Sequence, residues 1–350
     1  MQKGEGKETL HKHIKVSVLG GSGYSGIELL KILSGHPHVQ IDKVFANSSA
    51  GKSLHEVHPW FKNRLDIRFE SFAIESVCSS DTVFIALPSG EAMNVVPQLL
   101  SLGKKVIDLG GDFRLKDVAL YETYYKRTHA ARESLTKSVY GLPEWNSKAI
   151  KSASLVANPG CYPTSAILPL APLLKDGLIG SKGIVVNSLS GVSGAGRSAS
   201  AEMSFVEVNE SAKAYKVGTH QHIPEIKSAL EAIAGTSVSI TFVPHLIPIT
   251  RGIYSSIYAE IKSGVTSEVV LRSYQEHYST APFVRVSDKE IPEIKNVVYS
   301  NYIDIGFRMF PDNNQIIMFS VIDNLVKGAA GQAVQNMNLL FGYDQTEGLL

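Results

Sequence analysis

The sequence predicts an α/β protein: a Rossmann-type doubly wound parallel sheet plus a second α+β domain with a mixed sheet. Three observations carry this expectation. The β-branched run IKVSVL (14–19) enters the glycines of GGSGYSG (20–26) and continues at helical spacing over 27–33, a strand, tight turn and helix in succession. Strand candidates then alternate with helix-compatible stretches as far as residue 157, the rhythm of parallel strands joined by right-handed crossovers. Beyond that point strand candidates follow one another directly, which favours hairpins and mixed pairing.

In order, the first half offers strands at 14–19, 39–46, 82–87, 105–109 and 155–157, with a helix over 91–102. A strand-to-helix turn falls at NPGCYPT (158–164). Pro163 suits a first helical turn, whereas Pro169 and Pro172 are expected to kink or shorten the helix that begins there. The second half offers strands at 183–189, 238–243, 252–261, 302–310 and 315–322, the last two joined by the turn FPDNNQ. A final helix is expected over 329–340. The corresponding division is 1–157 for dinucleotide binding, with 1–13 a disordered lead-in, 158–322 for catalysis, and 323–350 as a C-terminal helix.

Composition narrows the class. With 34 Lys+Arg against 33 Asp+Glu the net charge is +1, too even for a broad basic surface that binds nucleic acid or acidic lipid. Hydrophobic residues at 44% and charged residues at 19% match a soluble globular protein. No apolar run approaches the roughly 20 residues that span a bilayer. The two cysteines, Cys78 and Cys161, lie far apart, which excludes a disulfide framework and suggests a reducing compartment. Residues 1–13 lack the features of a secretory or transit peptide. The expectation is a cytoplasmic protein with no nucleic-acid or membrane partner.

The glycine turn fits GxGxxG and opens a helix directly after a strand. In that context Gly20, Ser22, Gly23, Tyr24, Ser25 and Gly26 form a candidate pyrophosphate cradle, because absent Cβ atoms let the backbone approach and the helix N-terminus offers free N–H groups. The end of the second strand reads FANSSAGK (45–52), with no carboxylate for a ribose 2′-hydroxyl. Ser48, Ser49 and Lys52 would instead welcome a 2′-phosphate, favouring NADP(H) over NAD. Asp42, earlier in that strand, is the residue that would reverse this preference. Pro88 ends a strand at the carboxyl edge of the sheet, where dinucleotides lie.

Cys161 has two readings. A helix N-terminus stabilises a thiolate nucleophile, while a buried structural cysteine is the commoner fate of a free thiol. Cys78, abutting an apolar strand, fits the second reading better. A nucleophile needs an acid/base partner, and His220 in THQHIPE (219–225) lies on a loop before a helix that begins near Pro224. A metal site through His220 and His222 is disfavoured, since His11/His13 and His36/His38 share the spacing without a convergent ligand set; no metal is expected.

The pieces GGSGYSG, SSAGK (48–52), ALPSG (86–90), DLGGDFRL (108–115), YGLPE (140–144), NPGCYPT, SGVSGAGR (190–197), HQHIPEI (220–226) and DNLVKGAAGQAVQN (323–336) occur in one order. In that combination the chain resembles the N-acetyl-γ-glutamyl-phosphate reductases, a family of the wider semialdehyde dehydrogenase superfamily. The resemblance implies an NADP-binding Rossmann domain, a second α+β domain and a C-terminal helix returning to the first. It implies reduction of N-acetyl-γ-glutamyl phosphate to N-acetylglutamate semialdehyde in arginine biosynthesis, with Cys161 as nucleophile and His220 as acid/base. Two departures are Gln221, where relatives often carry Arg, and Gly110-Gly111 in place of Ser-Ala.

The expected chemistry is attack of Cys161 on an acyl phosphate, a thioester, and hydride transfer from NADPH. Arg114 is the candidate for the departing phosphate, since a guanidinium matches its oxygens bidentately. Further candidates are Ser190 and Gly191 on the cofactor, Asn324 and Lys327 near the nicotinamide, and Tyr162, Arg197 and Arg251 on the substrate, the last as anchor for its α-carboxylate. A homo-oligomer, dimer or tetramer, is the expected assembly. Two alternatives stand beside this reading: a related reductase of aspartyl or carrier-bound aminoadipyl phosphate, and a catalytically silent NADP-binding regulatory module.

Overall fold

The structure is a computed structural model that describes residues 13–197 and 200–350; the expected lead-in lies outside the described residues apart from His13. The first sheet contains β1 (Ile14–Leu19), β2 (Val39–Phe45), β3 (Phe69–Glu70), β4 (Thr82–Ile85), β5 (Lys105–Asp108), β6 (Val139–Tyr140) and β7 (Leu155–Ala157). Its order is β3-β2-β1-β4-β5-β7-β6, and every neighbouring pair is parallel.

Side-chain alternation explains why this sheet is apolar throughout. Phe84, Ile107 and Val156 face one core with Leu29 and Leu30 of the helix Tyr24–Ser34. Val83, Ile85, Val106, Leu155 and Ala157 face the opposite core with Val96 and Leu99. A parallel sheet covered on both faces has no polar side to display, so β4 reads TVFI and is buried at every position.

The second sheet contains β8 (Ile184–Ser190), β9 (Lys213–Ala214), β10 (Ile240–Leu246), β11 (Ile253–Glu260), β12 (Val284–Ser287), β13 (Ile303–Phe310) and β14 (Gln315–Ile322). Its order is β12-β13-β14-β11-β8-β10-β9. The pairs β8–β10 and β12–β13 are parallel and the rest antiparallel. In β11, buried and half-buried positions alternate, as expected when only one face meets a core. The turn Pro311–Asn313 closes the β13–β14 hairpin, with Asn314 in the left-handed region at φ 47°.

The chain end departs from the expected helix over 329–340. A π-helical turn, Val326–Ala330, precedes the α-helix Gly331–Phe341. That helix packs Ala333, Val334 and Met337 into the core under the first sheet. The strands β3, β6 and β9 hold two residues each, too few for a period to show in the sequence; β12, with four residues, also lies outside the expected strands.

The helix Cys161–Lys175 corrects a second expectation, because it runs 15 residues through Pro169 and Pro172 without stopping. Each proline removes the donor for the carbonyl four residues earlier. Ser165 O is taken instead by Ser320 Oγ at 2.6 Å, and Leu168 O by the Tyr278 hydroxyl. Tertiary hydroxyls thus satisfy the acceptors the prolines orphan. Tyr278→Phe should therefore destabilise the fold by about 1–3 kcal/mol, the cost of a buried unpaired acceptor; urea unfolding of the variant measures it, and an unchanged midpoint would contradict the compensation.

Candidate active site

A cleft of about 1380 Å³ runs along the carboxyl ends of β1 and β4 and down to Cys161. Its floor is the glycine turn. Gly20 sits at φ +84° with Ala86 O only 2.3 Å from where a Cβ would stand, and a Cβ on Gly26 would meet Gly20 O at 2.3 Å. Strand, turn and helix are therefore packed too closely for any side chain at either position. The helix Tyr24–Ser34 starts at Gly23 without a side-chain cap, so its first-turn N–H groups are free for an anion. Gly20, Ser22, Gly23, Tyr24 and Ser25 line the cleft, while Gly26 lies behind them as packing.

Ser48, Ser49 and Lys52 line the cleft beyond the end of β2, and Pro88 lines it past β4. Asp42 does not: its Oδ2 accepts from Ser79 Oγ at 2.6 Å and Ser80 Oγ at 3.0 Å. Glu56 is the carboxylate that reaches the cleft here, held by Ser53 N and Ser53 Oγ in a capping box. These residues fit a dinucleotide: a glycine cradle, uncapped amides, hydroxyls and one lysine.

Cys161 lies at the inner end, as the first residue of its helix, after Gly160 with no side-chain cap. It is half-buried, and Cys78, expected to be the buried cysteine, is exposed. Burial pushes the Cys161 thiol up to about 11, outweighing the amides of Tyr162 and Cys161 and the Arg114 charge, which pull the other way. The expected resting thiolate gives way to a thiol, because desolvation exceeds what one helix end supplies.

Arg114 lines the same end of the cleft. Its Nε donates to Asn158 O at 2.8 Å and its Nη2 to Leu109 O at 2.7 Å. Its Nη1 lies 3.3 Å from Glu225 Oε2 and 3.5 Å from His222 Nε2. Glu225 Oε1 accepts from Gly160 N at 2.8 Å and from the Tyr140 hydroxyl at 3.0 Å. Sequence reasoning passed over Glu225; its signal was a carboxylate in the first turn of a helix that also carries His222.

The two histidines hold opposite tautomers. His222 N donates to His220 Nδ1 at 3.1 Å, so neutral His220 carries its proton on Nε2. Arginine has no acceptor, so His222 Nε2 must accept from Arg114 and the proton sits on Nδ1, which has no partner among the described residues. Burial lowers both imidazoles, His220 to about 4 with help from Lys216, and His222 well below its ordinary value. His222 lines the cleft with Cys161; His220 does not, and packs instead against Tyr162, Tyr215 and Phe242.

Other expected residues divide. Arg197 and Asn324 line the cleft; Arg197 Nη1 donates to Ser22 O at 2.8 Å, and Asn324 Nδ2 to Ser193 Oγ at 3.0 Å. Ser190 ends β8 and Gly191 follows it, neither lining the cleft, and Gly191 packs on the Thr250–Arg251 backbone. Tyr162 is buried with its hydroxyl on Tyr215. Arg251 corrects the expectation of a substrate anchor: its fork holds Glu28 Oε2 at 3.0 Å and Asp323 Oδ2 at 3.2 Å, and its plane lies over Tyr299. Lys327 points into the core, away from the cleft its neighbours Leu325 and Gly328 line.

Two family models match the chain: "Semialdehyde dehydrogenase, NAD binding domain" over residues 15–153, and "Semialdehyde dehydrogenase, dimerisation domain" over 161–324. N-acetyl-gamma-glutamyl-phosphate reductase of Pelotomaculum thermopropionicum is 48% identical over 338 residues, covering 96% of this chain and 97% of that one. Its namesake from Geobacillus kaustophilus is 47% identical, covering 96% and 98%. Among solved structures, aspartate semialdehyde dehydrogenase II of Vibrio cholerae superposes with TM-score 0.73 at 18% identity, covering 94% of this chain and 98% of that one. The NADP-containing aspartate semialdehyde dehydrogenase of Candida albicans gives 0.71 at 17%, again covering 94% and 98%. With nearly half its residues shared along almost its whole length, the chain belongs to the N-acetyl-γ-glutamyl-phosphate reductase family of oxidoreductases, with the nicotinamide-binding domain of the semialdehyde dehydrogenases.

Proposed function

We propose that the protein reduces N-acetyl-γ-glutamyl phosphate to N-acetylglutamate 5-semialdehyde with NADPH, releasing phosphate, through a thioester on Cys161, as a cytoplasmic step of arginine biosynthesis. The observation that carries this reading is Cys161 at an uncapped helix start, inside the dinucleotide cleft, beside Arg114 and His222. Ser48, Ser49 and Lys52 in the cleft support NADP(H), a 2′-phosphate being matched by hydroxyls and a cation. The dimerisation-domain match over 161–324 supports a homo-oligomer.

The chain's own groups divide the work between them. Once the substrate phosphate draws the Arg114 Nη1 hydrogen bond to itself, the His222 Nε2 lone pair that accepts it in the free protein is released and takes the Cys161 proton. In the free protein burial, His220, Arg114 and Lys216 all weaken it as a base. A bound phosphate dianion offsets the two cations, and Glu225 Oε2, 4.0 Å from Nε2, steadies the imidazolium. The sulfur attacks the acyl carbon; the C–O bond breaks and its electron pair leaves with phosphate, beside the Arg114 guanidinium. The Cys161 and Tyr162 amides at the start of the cysteine helix support this reading as donors to the developing oxyanion. His220, whose proton is on Nε2, is a hydrogen-bond donor rather than a base. When bound, the dinucleotide supplies hydride to the thioester carbon. The C–S bond then breaks, the aldehyde leaves and the sulfur takes back the proton held on His222 Nε2.

The deciding assay runs the reaction in reverse with phosphate, NADP⁺ or NAD⁺, and each candidate semialdehyde. N-acetylglutamate semialdehyde with NADP⁺ should turn over best, and Cys161→Ser should abolish turnover while still binding NADP. Best turnover of aspartate semialdehyde, or full activity in Cys161→Ser, would overturn the reading. His222→Asn should lower kcat by about 10²–10⁴, the usual range for a proton-transfer group. His220→Asn, which keeps an acceptor for the amide of residue 222, should lose less; the reverse ranking would exchange their roles. In a Cys78→Ser background, alkylation of Cys161 by iodoacetamide should still be accelerating at pH 9, because burial pushes the thiol up to about 11. A plateau reached below pH 8 would contradict a resting thiol.

A further inference from the structure

Lys327 and Glu144 form an ion pair in which neither side chain has exposed surface, with Nζ 2.6 Å from Oε1. Nζ also donates to Gln335 Oε1 at 2.9 Å, while Glu144 Oε2 has no partner among the described residues. Such a pair is a poor source of stability, since desolvating both charges offsets most of their attraction and one carboxylate oxygen stays unsatisfied. No step of the proposed reaction uses it.

Its position gives it another role. Lys327 belongs to the π-helical turn Val326–Ala330, a geometry that often marks functional sites. The next residue, Gly328, has so little room that a Cβ there would stand 2.7 Å from Cys161 Cβ. The residue after that, Ala329, gives its carbonyl to Asn158 Nδ2 at 3.1 Å. The wide turn puts Lys327 into the core while Gly328 and Ala329 line the cleft. Glu144, from the helix Pro143–Lys151, is the far anchor.

We infer that Lys327, through its buried pair with Glu144, is a positioning residue that presses the Gly328 turn against Cys161 and so fixes the nucleophile for attack. This rests on the proposed role of Cys161. One wall beside Cys161 is backbone without a side chain; Asn158 holds it at Ala329 O, and the buried pair holds it from behind at Lys327. A displacement of about 1 Å at such a wall costs up to roughly 10²-fold in rate.

The test is the double variant Lys327→Met/Glu144→Gln, which keeps the volumes and removes both charges, in a Cys78→Ser background. It should melt at or above the parent's Tm. Its kcat should fall about tenfold to a hundredfold with little change in KM or NADP affinity. Alkylation of Cys161 should become faster as the covering turn loosens. A kcat and an alkylation rate both equal to the parent's would overturn the inference, and so would a loss that only follows a lowered Tm. If the double variant does not fold, Glu144→Gln decides: its amide oxygen still accepts from Lys327 without the charge. A lowered kcat at unchanged KM supports the brace, and unchanged kcat and alkylation overturn it. If the parent itself does not act on the acyl phosphate, the functional reading fails, while the alkylation comparison still judges the brace.

Discussion

One buried carboxylate organises this site. Glu225 gives one oxygen to the Gly160 amide and the Tyr140 hydroxyl, and the other to Arg114. Its partners come from three separate segments of the chain, so the charge converts a meeting of loops into a fixed geometry. A carboxylate this deep is tolerable only because its oxygens are all used and a guanidinium stands beside it. Gly160 can have no side chain for the same reason: a Cβ would stand 2.4 Å from His222 Nε2 and 2.9 Å from Arg114 Nη1. The glycine before the cysteine is thus set by the carboxylate's neighbours as much as by the helix it caps.

The burial that makes this geometry rigid also silences it. Desolvation raises the thiol and lowers both imidazoles, so neither partner of the proton transfer is poised in the free protein. Arg114 is matched in the free protein by Glu225, and in the proposed reaction the acyl phosphate adds two negative charges beside it. In that proposed reaction the ligand is part of the acid–base machinery, arriving before the sulfur becomes reactive. A cleft open enough to admit a dinucleotide gains protection from this arrangement, since a thiol is a far weaker target than a thiolate for stray electrophiles.

The parts read most easily from the sequence are those fixed by local rules. GGSGYSG after a β-branched run reads as a strand, tight turn and helix start, and Cys161 after a short strand falls at a helix start. The parts that escaped depend on long-range partners. Pro169 and Pro172 look like helix breakers until Ser320 and Tyr278 supply hydroxyls from elsewhere in the chain. Arg251 looks like a free cation until Glu28 and Asp323 close on it from both domains. His220 and His222 look interchangeable, and only the hydrogen bond from the backbone of one to the ring of the other separates them.

The end of the chain obeys the same logic in its most demanding form. The helix Gly331–Phe341 has Gln332, Gln335, Asn336 and Asn338 without exposed surface. Apolar residues there would bury more surface with no polar debt, so the amides are there for what they hold. Gln332 donates to Thr164 in the first turn of the cysteine helix, and Asn336 to Gly141 O and Asn158 Oδ1. Asn338 reaches the carbonyls of Gln345 and Glu347. An apolar helix could slide by a turn and still be buried; a helix whose amides meet specific partners cannot. Because the π-helical turn leads straight into it, that fixed register carries through to Gly328. The alignment of the wall facing Cys161 therefore begins in the last helix of the chain.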